Sequence, residues 1–218
     1  MTANQTTESP SILSFAKDLP NICSLAGLLC AVLAIYFALL GNFPATMISL
    51  IWALFFDWSD GIIARSIKGR SEKQRAFGGQ LDSLIDIISY GICPALVLLS
   101  WGNFSPWFLP GAFLILAAGV FRLSYYNVFG LVGGSTYRGL ALDNNCIILT
   151  FVFLFSALID KTVFTSLLYI LLMILAALNV APIHTPKLTG RWYYILIAYT
   201  ITLSVIYGWQ LLHFSHST

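Results

Sequence analysis

The stretch FFDWSDGIIARSIKGRSEKQRAFGGQLDSLIDIISYG, residues 55–91, sets four aspartates where two apolar runs meet across a charged link. Asp57, Asp60, Gly61 and Ala64 follow the spacing i, i+3, i+4, i+7, which is one face of a helix. Gly78, Asp82 and Asp86 follow i, i+4, i+8, again a single face. The link 65–76 is short, so the two acidic faces can be brought together.

Outward from this window the chain is too apolar for water. Of its 218 residues, 58% are hydrophobic and 9% charged, against roughly 25% charged in a soluble domain. Apolar runs long enough to cross a bilayer as helices recur, and they are continuous rather than alternating, which excludes a membrane β-barrel. Seven spans are predicted, at about 21–40, 44–66, 77–100, 106–127, 144–159, 163–181 and 191–212. The expected organisation is a segment 1–20, a single all-α transmembrane bundle over 21–212, and a tail 213–218. In the first segment, Ile12, Leu13, Phe15 and Ala16 predict a short interfacial helix within 8–18. No basic n-region precedes an apolar core, so no cleaved signal peptide is expected.

Basic residues orient the bundle. Lys17, Arg65, Lys68, Arg70, Lys73, Arg75, Arg122, Arg138, Lys187 and Arg191 fall on one side of the seven spans, and only Lys161 on the other. This asymmetry puts the N-terminus and the 65–76 link in the cytoplasm. A net charge of +2 without a basic arm gives no sign of nucleic acid as a partner. The cysteines, Cys23, Cys30, Cys93 and Cys146, sit singly in apolar runs and read as small core residues.

Four like charges beside hydrocarbon repel one another and are costly to desolvate, so a cation is expected among them. Carboxylates without His or Cys suit a hard ion, Mg²⁺, Mn²⁺ or Ca²⁺, rather than zinc. Gly61, Ala64 and Gly78 on the same faces leave a groove where a diphosphate could complete the coordination shell. Taken singly, any of these aspartates reads as a solvated boundary residue, and the small residues as helix-packing positions. A carboxylate-lined cation pathway is the other reading, but it would spread acidic residues through the bilayer depth, whereas these cluster at one boundary.

Asp57-x2-Asp60-Gly61-x2-Ala64-Arg65 followed by Gly78-x3-Asp82-x3-Asp86 resembles the signature of the CDP-alcohol phosphatidyltransferase family. The resemblance implies six core membrane helices, here with an additional C-terminal helix, in an integral membrane homodimer. Its active site would open to the cytoplasm, at the inner membrane if the source is bacterial. It implies transfer of a phosphatidyl group from CDP-diacylglycerol to an alcohol with release of CMP, dependent on Mg²⁺ or Mn²⁺. By that resemblance Asp57, Asp60, Asp82 and Asp86 hold metal, and Asp86 is also the general base. Asp60, Gly61, Ala64, Arg65, Gly78 and Asp82 contact the CDP moiety. Twelve residues, SIKGRSEKQRAF, separate Arg65 from Gly78, more than the family usually has, and are expected to lengthen the cytoplasmic link.

Leu19-Pro20-Asn21, LDSLIDIISYG at 81–91 with Pro94-Ala95, FRLSYYN at 121–127 and Gly139-Leu140 resemble the phosphatidylserine synthase branch. Two features depart from it: Tyr125 stands where a second arginine is usual, and GLALD at 139–143 lacks the branch's prolines. L-Serine is the expected acceptor. Its carboxylate would meet Arg122 and Arg138, and its ammonium Asp143, Asn127 or Asn144. Choline would want an aromatic cage, which Tyr125, Tyr126 and Tyr137 could form. Inositol phosphate or glycerol phosphate would want a denser basic cluster.

Overall fold

The computed structural model describes residues 11–134, 136–186 and 190–214. Residues 8–10 of the expected interfacial helix, Lys187 of the basic set and residues 215–218 of the tail lie outside the described residues. Among the described residues, six helices are long and apolar enough to cross a bilayer: Leu19–Leu39, Phe43–Ser66, Glu72–Trp101, Pro106–Phe129, Lys161–Val180 and Arg191–His213. This is the all-α membrane bundle that the apolar runs predict. Within it we number α1 (Leu19–Leu39), α2 (Phe43–Ser66), α3 (Glu72–Ile87), α4 (Cys93–Trp101), α5 (Leu109–Phe129), α6 (Asp143–Val152), α7 (Lys161–Val180) and α8 (Arg191–Phe214).

Helices α1 and α2 pack closely because their facing residues are small. Ser24, Gly27, Ala31, Ala34 and Ala38 form the buried stripe of α1, and Ala45, Ser49 and Ala53 answer it from α2. In lipid, where apolar contact brings no hydrophobic gain, such close approach supplies the packing energy. A Cβ on Gly27 would sit 3.4 Å from the Ala53 carbonyl oxygen and from the Phe56 Cβ. Thiols and hydroxyls add bonds to neighbouring backbones: Cys23 to Phe56 O at 3.3 Å and Cys146 to Leu50 O at 3.4 Å.

Helices α3 and α4 form one rod joined by a π turn, Ile88–Ile92. Pro94 explains the turn. It has no N–H for the carbonyl of Tyr90, and its ring would clash there, so the chain widens locally. Cys93 N instead donates to Ile88 O, and the Tyr90 carbonyl accepts from Asn145 Nδ2 of α6 at 3.4 Å.

The fifth predicted span, 144–159, is shorter than expected. Its helical part ends with α6 and a 3₁₀ turn, Phe153–Phe155. Thirteen residues, Asp143–Phe155, rise only about 20 Å, less than the roughly 30 Å hydrocarbon core. The helix starts low: Trp58 Nε1 of α2 donates to Asp143 Oδ2 at 3.1 Å. From Trp58 to the end of α2 at Ser66 the helix climbs about 12 Å further, and that space above α6 is a chamber.

Over the chamber lies a ribbon. Strands β1 (Thr136–Arg138) and β2 (His184–Pro186) pair antiparallel, with Tyr137 opposite Thr185. Gly139 fastens it to α7. With φ +79° and a Cβ position only 2.1 Å from Asn179 O, the site admits glycine alone. Leu140 N donates to Leu178 O at 2.9 Å, and Thr185 Oγ1 to Gly139 O at 2.7 Å.

Of the twelve residues between Arg65 and Gly78, only 67–71 are non-helical. Helix α3 begins at Glu72 through a capping box, with Gln74 N donating to Ser71 Oγ at 3.2 Å and Ser71 N to Gln74 Oε1 at 2.8 Å. Ser66 closes α2, and residues 72–77 belong to α3. Arg70 folds back to Asp18 at 2.6 Å in a pair only 8% and 9% exposed. Ahead of α1, a 3₁₀ helix, Ile12–Lys17, stands where the interfacial helix was predicted. It keeps Ile12 and Leu13 exposed, while Phe15 stacks on Phe77.

Replacing Gly27 with Leu will drive side-chain atoms into the Ala53 carbonyl and Phe56. The expected loss is about 1–3 kcal/mol, read as a lowered unfolding midpoint of the detergent-solubilised protein, and an unchanged midpoint would contradict the packing described.

Candidate active site

Helix α2 carries Asp57 and Asp60 two turns from its end, and α3 carries Asp82 and Asp86 in its last turns. The two faces meet as their spacing requires. A chamber of about 200 Å³ is bordered by all four, with Gly61 and Arg65 of α2 beside them. Asp57, Asp82 and Asp86 each offer one carboxylate oxygen, and these oxygens lie within 4.8 Å of one another. Asp86 Oδ1 is buried with no hydrogen-bond partner. Converging oxygen donors with one unmet, buried oxygen are the donor set of a hard divalent ion, so the residues fit Mg²⁺, Mn²⁺ or Ca²⁺.

Asp60 stands apart from that trio. It is buried, and Ser24 Oγ of α1 donates to its Oδ2. Its position on the α1 side of α2 turns one oxygen toward a hydroxyl rather than toward the three converging carboxylates. Gly61 borders the chamber with the Arg65 guanidinium 3.4 Å from its Cβ position. Ala64 and Gly78 do not border it. Gly78 instead faces Arg70 of the link and Asn21 of α1, whose Nη2 and Oδ1 lie 3.0 and 3.1 Å from its Cβ position.

Two chamber residues, Trp58 and Tyr193, carry no local sequence signal, and Tyr90, which does not border the chamber, bonds one of its carboxylates. Tyr90 OH, from within the π turn, donates to Asp57 Oδ2 at 3.0 Å. Trp58 Nε1 holds Asp143, whose other oxygen accepts from Asn144 N at 3.0 Å and Asn144 Nδ2 at 3.1 Å. Tyr193 of α8 meets Ser59 at 2.9 Å. Tyr90 was findable in part, standing one helical turn after Asp86 beside Pro94; Trp58 and Tyr193 depend on distant partners.

The expected acceptor residues divide. Arg122 is buried and borders the chamber, its guanidinium 4.8 Å from the Tyr137 ring centroid and 5.5 Å from that of Tyr126. Burial pushes the Tyr137 phenol above its ordinary range, so it stays neutral as a ring for that cation. Asn127 accepts from Ser83 Oγ at 3.0 Å and does not border the chamber. Arg138 lies over Tyr125 at 5.9 Å and borders a different cavity. Asp143 and Asn144 do border the chamber.

The profile of the CDP-alcohol phosphatidyltransferase family matches residues 17–206. The chain belongs to that family. It is similar to the archaetidylserine synthase of Methanothermobacter thermautotrophicus, 34% identical over 125 residues, 57% of this chain and 52% of that protein. It is 28% identical over 169 residues to the CDP-diacylglycerol–serine O-phosphatidyltransferase of Methanocaldococcus jannaschii, covering 77% of this chain and 75% of that one. The enzyme of the same name from Bacillus subtilis is 26% identical over 115 residues, 50% of this chain and 61% of the other. The match thus spans about half the length of the first of these relatives and three quarters of the second.

Tyr90→Phe removes the hydroxyl that orients Asp57. Loss of such an outer partner weakens metal binding by about 10–100-fold, so Mn²⁺ titration followed by electron paramagnetic resonance should show a correspondingly weaker site at unchanged helix content. An unaltered Mn²⁺ affinity would rule out a shared role for Asp57 and Tyr90.

Proposed function

We propose that this membrane protein transfers the phosphatidyl group of CDP-diacylglycerol to the hydroxyl of L-serine, releasing CMP and forming phosphatidylserine. The observation that carries the reading is the trio Asp57, Asp82 and Asp86, with its unmet Asp86 oxygen, sharing one chamber with a buried arginine. Family membership and the names of the relatives above support the reaction and the acceptor. The basic asymmetry of the links favours a cytoplasmic chamber, in the cell membrane if the source is bacterial, and the family favours a homodimer.

In the reaction the serine hydroxyl oxygen forms a bond to the phosphorus that carries the diacylglycerol. The bond from that phosphorus to the oxygen bridging toward cytidine breaks, and its electron pair leaves with CMP. Asp86, with a free buried oxygen, is the group to take the hydroxyl proton. A positioned carboxylate base of this kind contributes about 10²–10⁴-fold. Asp57, Asp82 and Asp86, joined by Asp60 at the edge, would hold the divalent ion, which when bound neutralises charge on the diphosphate and on departing CMP. Asp60, Gly61, Arg65 and Asp82 form the wall for the CDP moiety. Ala64 and Gly78 are on the same helix faces, outside the chamber, so they act on the nucleotide only if it extends toward α1.

For the acceptor, Arg122 offers a desolvated guanidinium to a carboxylate, and Asp143 with Asn144 offers oxygens to an ammonium. Choline is disfavoured because the rings of Tyr126 and Tyr137 already enclose the protein's own cation. A phosphorylated alcohol is disfavoured because Arg138 borders the other cavity, which thins the basic cluster.

Purified protein given CDP-diacylglycerol, Mn²⁺ and a panel of alcohols should release CMP with serine in preference to choline, inositol phosphate or glycerol phosphate. No CMP with any alcohol would refute the transferase reading, and release with another alcohol alone would refute the acceptor. Asp86→Asn should lower turnover by about 10²–10⁴-fold while Mn²⁺ still binds more weakly. Chelation with EDTA should abolish CMP release, and added Mg²⁺ or Mn²⁺ should restore it; activity surviving exhaustive chelation would refute metal dependence.

A further inference from the structure

A second cavity, of about 370 Å³, lies between α5 and α7. None of the chamber's aspartates borders it, and it shares only Arg122 with the chamber. Arg122 is 7% exposed and its Nε has no hydrogen-bond partner. Arg138 reaches the cavity from the ribbon. Across from them Asn179 of α7 is 1% exposed, and neither its Nδ2 nor its Oδ1 is partnered. Buried polar groups are nearly always hydrogen-bonded, so an amide unmet at both ends marks a place for a ligand that both accepts and donates.

The charge and the mouth of the cavity narrow that ligand. Two guanidinium groups favour a phosphate, which their planar forks recognise. The C-terminal end of α7 opposes an anion, but only with about half an elementary charge, and its Leu178 carbonyl is already taken by Leu140 N. Two full positive charges outweigh it. At the mouth, Phe121 and Val180 are 72% and 55% exposed, on helices whose outward faces are apolar enough for lipid. A fully polar ligand would leave that apolar rim unused. Asn179 Oδ1 also calls for a hydrogen-bond donor, which a glycerol headgroup supplies through its hydroxyls.

We propose that this cavity binds the headgroup of an anionic, hydroxyl-bearing membrane phospholipid. Its phosphodiester meets Arg122, Arg138 and Asn179 Nδ2. Its headgroup hydroxyl donates to Asn179 Oδ1, and its chains leave past Phe121 and Val180. The site is separate from the carboxylate chemistry, and its occupant touches the same arginine that borders the chamber.

The test is binding rather than turnover, so its failure would leave the transferase reading untouched. The full chain in phosphatidylcholine nanodiscs is titrated with phosphatidylglycerol and examined by native mass spectrometry, alongside Asn179→Leu and Asn179→Asp. The expected result is one retained phosphatidylglycerol on the wild type, bound about tenfold or more tightly than on either variant. Asn179→Leu removes an unmet buried amide, so its lipid-free melting midpoint should be no lower than that of the wild type. Asn179→Asp is nearly isosteric and adds a negative charge, which provides an independent variant should the leucine disturb packing. Equal retention by all three proteins would overturn the site. If inorganic phosphate or glycerol 3-phosphate binds as tightly as the lipid, the lipid assignment is overturned in favour of a free anion.

Discussion

The mutual repulsion of carboxylates inside a membrane bundle is the constraint to which the rest of the molecule answers. Asp57, Asp82 and Asp86 bring their oxygens within 4.8 Å of one another, in surroundings where unpaired charge is poorly tolerated. Helices alone cannot relieve this, since their own backbone donors are consumed internally. Neutral donors are therefore recruited one at a time: Tyr90 to Asp57, Ser24 to Asp60, Trp58 to Asp143. Each comes from a different turn or helix. The small-residue contact of α1 with α2 and the deep start of α6 are what bring two of them into reach.

Pro94 shows how a backbone defect is used at such a site. The proline removes one helical hydrogen bond, the π turn absorbs the geometry, and Asn145 takes the released carbonyl. Tyr90 itself lies in the turn, and its side chain reaches Asp57. A regular helix without the proline would consume the Tyr90 carbonyl and leave the Asn145 amide without that partner.

Much of this was legible in the sequence, for physical reasons. The acidic faces are recorded by helical periodicity within a single window, and the bundle by runs of lipid-compatible length. What stayed hidden depends on distance along the chain. Nothing near Trp58 announces Asp143, and nothing near Ser59 announces Tyr193, because those contacts join helices whose relative depth the sequence does not encode. The shortness of α6 was missed because Phe153–Leu158 is apolar enough to read as more helix. The ribbon was missed because strands of three residues leave no periodicity. The insertion was read as a longer link, although Ser71-x-x-Gln74 carries a helix-start signal that places much of it in α3. The aromatic residues near Arg122 were legible as a cluster, but only the fold shows that their rings are already occupied by a guanidinium.

The low floor set by α6 has a consequence for how a ligand anchored in lipid and one dissolved in water could meet. A helix about 10 Å shorter than the hydrocarbon core would, in a bilayer, set the chamber as a shaft below the level of the headgroups. A lipid diphosphate would then keep its chains in the bilayer and reach the carboxylates by lateral diffusion, in two dimensions. A small water-soluble partner would arrive from above, in three. The depth of the shaft fixes the plane where those routes cross, so neither molecule need leave its own phase.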